Sequence, residues 1–254
     1  MNKQLALRQR IRKIILLVTF LSFPITMNYM SPYVIIDGSM QGIISGSLVL
    51  FALLFLSALF LGRLWCGWVC PMGGLQETME PINNKSINGS KADWIKWLIW
   101  IPWITLIILM AVRAGGYQSV NVLLDTQGGI SVAGAPDRPI IFAYIIYYFV
   151  IALFVVLSIL AGKRAGCHTV CWMAPFMIIG RWIRNKFNWP SLQLKASPLE
   201  CTNCKKCSTN CPMSLDVNAM VQANKMEHLE CILCGTCVDN CSKNAIVYSF
   251  SKGK

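Results

Sequence analysis

The sequence predicts an all-α membrane bundle of four transmembrane helices, arranged as two hairpins, followed by a small cysteine-rich α+β domain. The chain of 254 residues has a mean hydropathy of +0.53 and only 13% charged residues, which is too apolar for an ordinary soluble domain. It contains apolar runs of about twenty residues, the length that a helix needs to cross a bilayer. Eight of its 12 cysteines fall between residues 201 and 241.

The apolar runs cover residues 14–36, 40–61, 94–112 and 139–161. The first run follows a basic arm, as a signal peptide would, but no small-residue cleavage site comes after it. We therefore predict an uncleaved first helix. Pro102 predicts a kink in the third helix, because proline removes a backbone donor.

The basic residues predict the topology of these helices. If the N-terminus is cytoplasmic, 21 Lys and Arg residues lie on cytoplasmic segments, and only Arg113 and Arg138 lie outside. This asymmetry predicts a multi-pass protein of the cell (inner) membrane with both termini in the cytoplasm. The net charge of +12 is therefore a topology signal, and we expect no nucleic-acid partner.

The cysteine-rich segment contains two C-x2-C-x2-C-x3-C runs, the spacing of a two-cluster ferredoxin. In that arrangement the fourth cysteine of each run ligates the other cluster. The first [4Fe–4S] cluster is predicted on Cys201, Cys204, Cys207 and Cys241, and the second on Cys231, Cys234, Cys237 and Cys211. Structural zinc would use paired C-x2-C units with longer gaps, and disulfides would suit a small secreted domain. Both clusters are expected on the cytoplasmic side.

The other four cysteines form two C-x3-C pairs, one after the second apolar run and one after the fourth. They are Cys66, Cys70, Cys167 and Cys171. Three interpretations are open: a third metal centre or cluster, redox-active thiols, or small packing residues. The matched positions of the two pairs make packing alone the weakest interpretation, and of the other two we favour a metal centre.

Residues 174–190 have apolar side chains at helical spacing opposite basic ones, which predicts an amphipathic helix. It either lies in the membrane surface or packs on the cysteine-rich domain. The predicted domains are thus residues 1–173 in the membrane, 174–190 at the interface, and 191–254 as the two-cluster ferredoxin-like domain.

The segment GRLWCGWVCP, with Cys66, Cys70 and Pro71, resembles the C-x3-C-P signature of the NapH/NosR-type membrane iron–sulfur proteins. That family combines several membrane helices, two such motifs and a C-terminal pair of [4Fe–4S] motifs, and the order of all 12 cysteines agrees. The second motif differs, because Trp172 stands where the family has proline. The resemblance implies a quinol dehydrogenase membrane component or a protein of copper-oxidase assembly.

Two function hypotheses follow. The first is a membrane-anchored electron-transfer subunit that links the quinone pool, or a soluble ferredoxin, to a redox partner protein. The second is a metal-handling or maturation protein, for example one that reduces copper for an extracytoplasmic enzyme through the membrane-side cysteines. His168 lies between two motif cysteines and is the candidate catalytic residue, as a metal ligand, a quinone hydrogen-bond partner or a proton carrier. A local packing role is the alternative.

Overall fold

The computed structural model describes residues 3–87, 92–134 and 139–252, with side chains from residue 7 onward. Lys91, Arg138 and Lys254, three of the residues that entered the topology prediction, lie outside these ranges. The membrane part consists of helices and one pair of short strands. Its elements are α1 Lys3–Leu21, α2 Phe23–Thr26, a 3-10 helix Met27–Met30, α3 Pro32–Met40, β1 Ile43–Ser45, α4 Gly46–Leu61, α5 Leu64–Trp68, α6 Pro71–Thr78, α7 Ile95–Arg113, β2 Ser119–Asn121, α8 Ile140–Ala161, α9 Ala165–Thr169 and α10 Ala174–Phe187.

Two helices, α7 and α8, are long and apolar enough to cross a membrane, which indicates a membrane protein. A third candidate span forms if Leu7–Leu21 and Phe23–Met30 count as one segment, although these two parts meet at 58°. The break falls at Ser22, directly before α2, whose second residue is Pro24. Proline at the start of a helix is favourable, whereas within the predicted continuous helix it would remove a hydrogen bond.

The predicted second span is shorter than expected. Residues up to Met40 belong to α3, and Gly42, with φ +67°, ends that helix before β1 begins. The remaining helix, α4, has 16 residues and is therefore about 24 Å long, less than the roughly 30 Å of a bilayer core. The described residues thus contain two or three candidate spans, and four spans are not confirmed.

All three candidate spans present one end to the cysteine-rich domain. Lys96, in the first turn of α7, donates to Glu230 at 2.7 Å, and Lys163, just after α8, donates to the Thr209 carbonyl at 2.7 Å. Near the start of α1, Arg8 pairs with Asp239. At the opposite end, β1 pairs with β2 in parallel. The bundle therefore has one end covered by the cysteine-rich domain and one end closed by loops.

The cysteine-rich domain is enclosed by an antiparallel pair, β3 Ser191–Ala196 and β4 Ile246–Ser251. Between the strands lie α11 Lys206–Thr209, α12 Val217–Gln222 and α13 Thr236–Asp239. The two cysteine runs fold alike: positive φ angles at Asn203 and Lys205 recur thirty residues later at Leu233 and Gly235. Alternating left-handed residues of this kind turn backbone N–H groups inward and form anion-binding concavities, which suit iron–sulfur sites.

Helix α10 connects the two parts of the molecule. It packs along α4, and its Arg181 and Arg184 are 1% exposed. Arg181 binds Glu227 at 2.6 Å and the Cys231 carbonyl at 2.7 Å, so this basic face contacts the cysteine-rich domain. Trp182 and Phe187 are exposed. The sequence left two positions open for this helix, in the membrane surface or on the cysteine-rich domain. In the structure its basic face packs on the cysteine-rich domain.

Candidate functional site

The eight cysteines of the C-terminal domain line two separate cavities. One, of about 370 Å³, has Cys201, Cys204, Cys207 and Cys241 in its wall. The other, of about 420 Å³, has Cys211, Cys231, Cys234 and Cys237 in its wall. Each cavity therefore combines three cysteines of one run with the last cysteine of the other. We call them the first and the second cluster cavity.

The two cavities differ in their exposure to solvent. Cys204, in the first cluster cavity, is exposed, whereas Cys211, Cys234 and Cys237, in the second, are buried. Burial raises the pKa of the Cys211 thiol to about 12, and the nearby Cys234 adds to this effect. The second cavity faces the membrane part, and the first faces solvent.

The first C-x3-C segment packs directly on the second cysteine run. The indole Nε1 of Trp68 donates to the Leu233 carbonyl at 3.1 Å. A Cβ atom on Gly67 would lie 2.3 Å from the Ile232 carbonyl oxygen and 3.4 Å from the Cys234 Cα atom. Only glycine permits this approach. The backbone that carries Cys66 therefore touches the backbone of the second cluster motif with no side chain between them.

The four membrane-side cysteines lie near one another. Helix α5 holds Cys66 and α9 holds Cys167, and Cys70 and Cys171 follow these short helices at matched positions. Burial raises the pKa of the Cys70 thiol well above its usual value, and the nearby Cys66, Cys167 and Cys171 thiols raise it further. The structure thus brings together the two C-x3-C pairs that the sequence separates by about a hundred residues.

Buried cations surround these thiols. Arg63 and Arg164 are 0% and 1% exposed, and each precedes the first cysteine of its C-x3-C pair by three residues. Burial raises the pKa of the Cys66 thiol, but the charges of Arg63 and Arg164 oppose this effect. Among the described residues, Arg63 Nε and Nη2, Arg164 Nε and Trp65 Nε1 have no hydrogen-bond partner. Buried donors and positive charge of this kind fit an anionic group held by thiolates.

Ion pairs fasten these cations to both parts of the molecule. Glu230, directly before Cys231, pairs with Arg63 and with Lys96. Burial alone would raise the pKa of Glu230, but Arg63 and Lys96 outweigh burial and lower it to about 2. In the same way Glu77 pairs with Arg164 at 2.6 Å and with Arg12 at 2.8 Å.

His168 is fully buried, and its Nδ1 lies 2.6 Å from Asp93 Oδ1. Its Nε2 has no hydrogen-bond partner among the described residues. Asp93, His168 and Glu230 place ligand atoms within 4.8 Å of one another, as a metal site would. However, Lys96 Nζ lies 3.3 Å from Asp93 and 2.7 Å from Glu230, and its ammonium takes the place of a cation there. This group is therefore better described as an ion-pair network.

An apolar cavity of about 860 Å³ opens beside the membrane-side cysteines. Cys70 and Cys171 are in its wall, together with Trp172, Phe154 and apolar residues of α2 and α8. Trp172, which replaces the proline of the related motif, donates from Nε1 to the Met30 carbonyl at 2.9 Å. His168 is not part of this wall.

Sequence reasoning missed the carboxylates Glu77, Asp93 and Glu230 and the roles of Arg63 and Arg164. One signal was available: an arginine three residues before each C-x3-C pair, in a chain with few charges. The carboxylates had no such signal, because Glu230 meets Arg63 across 167 positions of the chain.

Comparison with known proteins defines the class of this protein. A family model described as a 4Fe-4S dicluster domain matches residues 200–246, and one described as a 4Fe-4S binding domain matches residues 45–88. The chain is therefore an iron–sulfur protein with two ferredoxin-type domains, and this confirms the coarser prediction of iron–sulfur clusters.

The curated relatives are archaeal. The uncharacterized protein MJ0750 of Methanocaldococcus jannaschii is 26% identical over 187 residues, which cover 72% of this chain and 71% of the relative. The uncharacterized protein MJ0749 of the same organism is 24% identical over 164 residues, covering 65% of this chain and 57% of the relative. No solved structure matches the chain.

Proposed function

We propose that this iron–sulfur protein is a membrane-anchored electron-transfer subunit, which passes electrons between the quinone pool, or a soluble ferredoxin, and a redox partner. One observation carries the proposal: the Cys66 segment lies backbone to backbone against the second cluster motif, at Gly67 and Ile232. Electron transfer needs short distances between redox groups, and this contact gives the membrane-side cysteines a direct route to the ferredoxin domain.

The ligand set proposed for each [4Fe–4S] cluster consists of the four cysteines in the wall of its cluster cavity. Bound clusters supply one-electron oxidation and reduction. The chain contributes the surroundings that set their potentials, since burial and hydrogen bonds to sulfur tune such clusters. Three cysteines of the second set, Cys211, Cys234 and Cys237, are buried, whereas the first set reaches solvent at Cys204. We therefore place the second set between the membrane-side cysteines and the first set along the electron route.

We further propose that Cys66, Cys70, Cys167 and Cys171 hold a third metal centre. The buried charges of Arg63 and Arg164 and their unpartnered nitrogens support an anionic group at this place. Cys66 and Cys70 lie within residues 45–88, which match a family model described as a 4Fe-4S binding domain. Bare packing of four thiols would not need two buried arginines beside them.

The apolar cavity supports the quinone side of the proposal. Its wall is almost entirely apolar, as the ring and tail of a membrane quinone require, and it includes Cys70 and Cys171. His168 lies outside the wall, in the network with Asp93, and its catalytic role stays a prediction. The basic residues at the ferredoxin end, including Lys96 and Lys163, support a cytoplasmic position of that end.

The test is to purify the protein without oxygen and to measure iron and acid-labile sulfide per chain, with EPR of the reduced protein. About eight iron atoms correspond to two cubes, and about twelve to three. A Cys66→Ala/Cys70→Ala variant should keep both ferredoxin clusters, reducible by dithionite, and lose their reduction by quinol. Unchanged quinol-linked reduction in this variant would reject the membrane-side site, and a colourless wild-type protein would reject the whole proposal.

One observation favours the metal-handling alternative. Cys66 Sγ lies 3.9 Å from Met177 Sδ, and Met72 and Met173 share the wall of the apolar cavity with Cys70 and Cys171. Thiolate and thioether sulfur are the soft donors that select Cu(I). Copper bound at these residues and released to an acceptor, in a protein without quinol activity, would support this function over electron transfer.

A further inference from the structure

A groove of about 940 Å³ runs between α1 and the two cluster motifs. Arg10 and Lys13 of α1, both exposed, line one side of it. Asn210 and Asn240, each next to the last cysteine of a run, line the other side. Asn240 also belongs to the wall of the first cluster cavity. The groove and that cavity therefore form one continuous face.

The same face carries positive charge around the exposed cysteine. Lys205 and Lys243 are in the wall of the first cluster cavity, and Lys206 is exposed beside them. With Arg10 and Lys13 this makes five exposed cations on the face. Glu80 lies in the wall of the groove, and the carboxylate of Asp216 interacts with the charge of Lys205. Glu200, next to Cys201 in the chain, is exposed. Asp239 and Arg12 also border the groove. Asp239 forms an ion pair with Arg8, and Arg12 forms one with Glu77.

We propose that this basic face, which consists of the groove and the rim of the first cluster cavity, is the docking site of a soluble, acidic, one-electron carrier protein. The inference rests on the proposed electron-transfer function and names its water-soluble partner. The carrier gives one electron to the first cluster and leaves oxidised by one electron; no proton or other atom moves. Cys204, one of the ligands proposed for that cluster, is exposed on this face, so a bound cluster would be reached from there.

Charge complementarity selects this partner. An acidic protein is attracted by the excess of cations, and such steering raises association rates by roughly 10- to 1,000-fold at low ionic strength. A lipid headgroup would reach Lys13, near the membrane end of the groove, but would gain nothing from the exposed thiol at Cys204. The two occupants can therefore be separated by experiment.

The experiment uses the full chain in nanodiscs of neutral phosphatidylcholine and a reduced plant-type ferredoxin as the acidic carrier. Stopped-flow absorbance gives the second-order rate constant for cluster reduction in wild type and in a Lys205→Glu/Lys243→Glu variant. Lys252→Glu is the matched control, because Lys252 is an exposed lysine far from the first cluster cavity. Ile246 is in the wall of that cavity, and the six residues from Ile246 to Lys252 span about 20 Å at strand spacing.

At about 20 mM salt we expect the double variant to react at least tenfold more slowly and the control within twofold of wild type. The wild-type rate should fall with added salt and converge with that of the variant. Dithionite should reduce the clusters fully in all three proteins, which separates docking from cluster loss. Equal ferredoxin rates in all three proteins would overturn the proposal. So would weaker binding of the double variant to phosphatidylserine vesicles with an unchanged ferredoxin rate, since the face would then serve lipid. Clusters that even dithionite fails to reduce would overturn the proposed function as well.

Discussion

A single change at Glu230 should weaken the contact between the membrane part and the ferredoxin domain and so lower the stability of the protein. The Glu230 carboxylate joins Arg63 and Lys96, two cations that are 0% and 1% exposed. In Glu230→Gln the side chain keeps its shape and loses its charge. Arg63 is then buried without a carboxylate partner, and Lys96 keeps only Asp93, at 3.3 Å. Neither cation can reach water without disrupting the packing around it.

The cost can be worked out in two ways. Breaking a buried ion pair by removing one partner costs about 3–5 kcal/mol, because the remaining charge is uncompensated. Lowering the pKa of Glu230 from 4.5 to about 2 corresponds to roughly 3 kcal/mol in favour of the folded state. The two values agree. At ~2–4 °C per kcal/mol for a chain of this size, the melting temperature should fall by about 10 °C.

The assay is thermal unfolding in detergent, followed by tryptophan fluorescence and by cluster absorbance. Glu200→Gln is the matched control, since Glu200 is exposed. The effect also depends on pH. A carboxylate with a lowered pKa stabilises the fold above its unfolded pKa, and this contribution is lost as pH falls through the folded value. The difference between wild type and Glu230→Gln should therefore be full above about pH 5 and shrink towards pH 2. Equal melting temperatures of wild type and Glu230→Gln at pH 7 would refute the reasoning.

Three further predictions concern the electron route. Gly67→Ala places a methyl group against the Ile232 carbonyl, so quinol-linked cluster reduction should slow by tenfold or more while dithionite still reduces both clusters; an unchanged rate would contradict the direct contact. Val150→Phe fills the apolar cavity and should raise the quinol concentration needed for half-maximal rate by tenfold or more. The control Val112→Phe should not, because Val112 of α7 is 71% exposed and lies outside the cavity wall. Arg164→Gln removes a buried cation beside the membrane-side cysteines and should lower the reduction potential of a centre there by about 60 mV for each 1.4 kcal/mol lost, measured by redox titration with EPR; an unchanged potential would count against a centre at this place.

The predictable parts of the molecule are those determined by local spacing. The apolar runs predicted α7 and α8 almost to the residue, because twenty consecutive apolar residues leave little choice of structure. The cysteine runs predicted which thiols share a cavity, because the ligand exchange between the two runs follows from their repeat. The ligands themselves stay a prediction.

The parts that could not be predicted depend on contacts between distant residues. The apolar run of α4 gave no sign that Gly42 would end the preceding helix and shorten the span. Glu77 and Glu230 look like ordinary charged residues until the fold brings arginines to them. Hydrophobic periodicity carries no information on which carboxylate meets which cation.

The earliest helix of the chain also meets its latest motif. Gln9 in α1 donates to the Cys234 carbonyl at 3.1 Å, and Arg8 holds Asp239. These contacts join residues that are 225 and 231 positions apart, so they cannot form until the Cys231 run has been synthesised. We therefore expect insertion of iron and sulfide at that run to precede or accompany the packing of α1 against it.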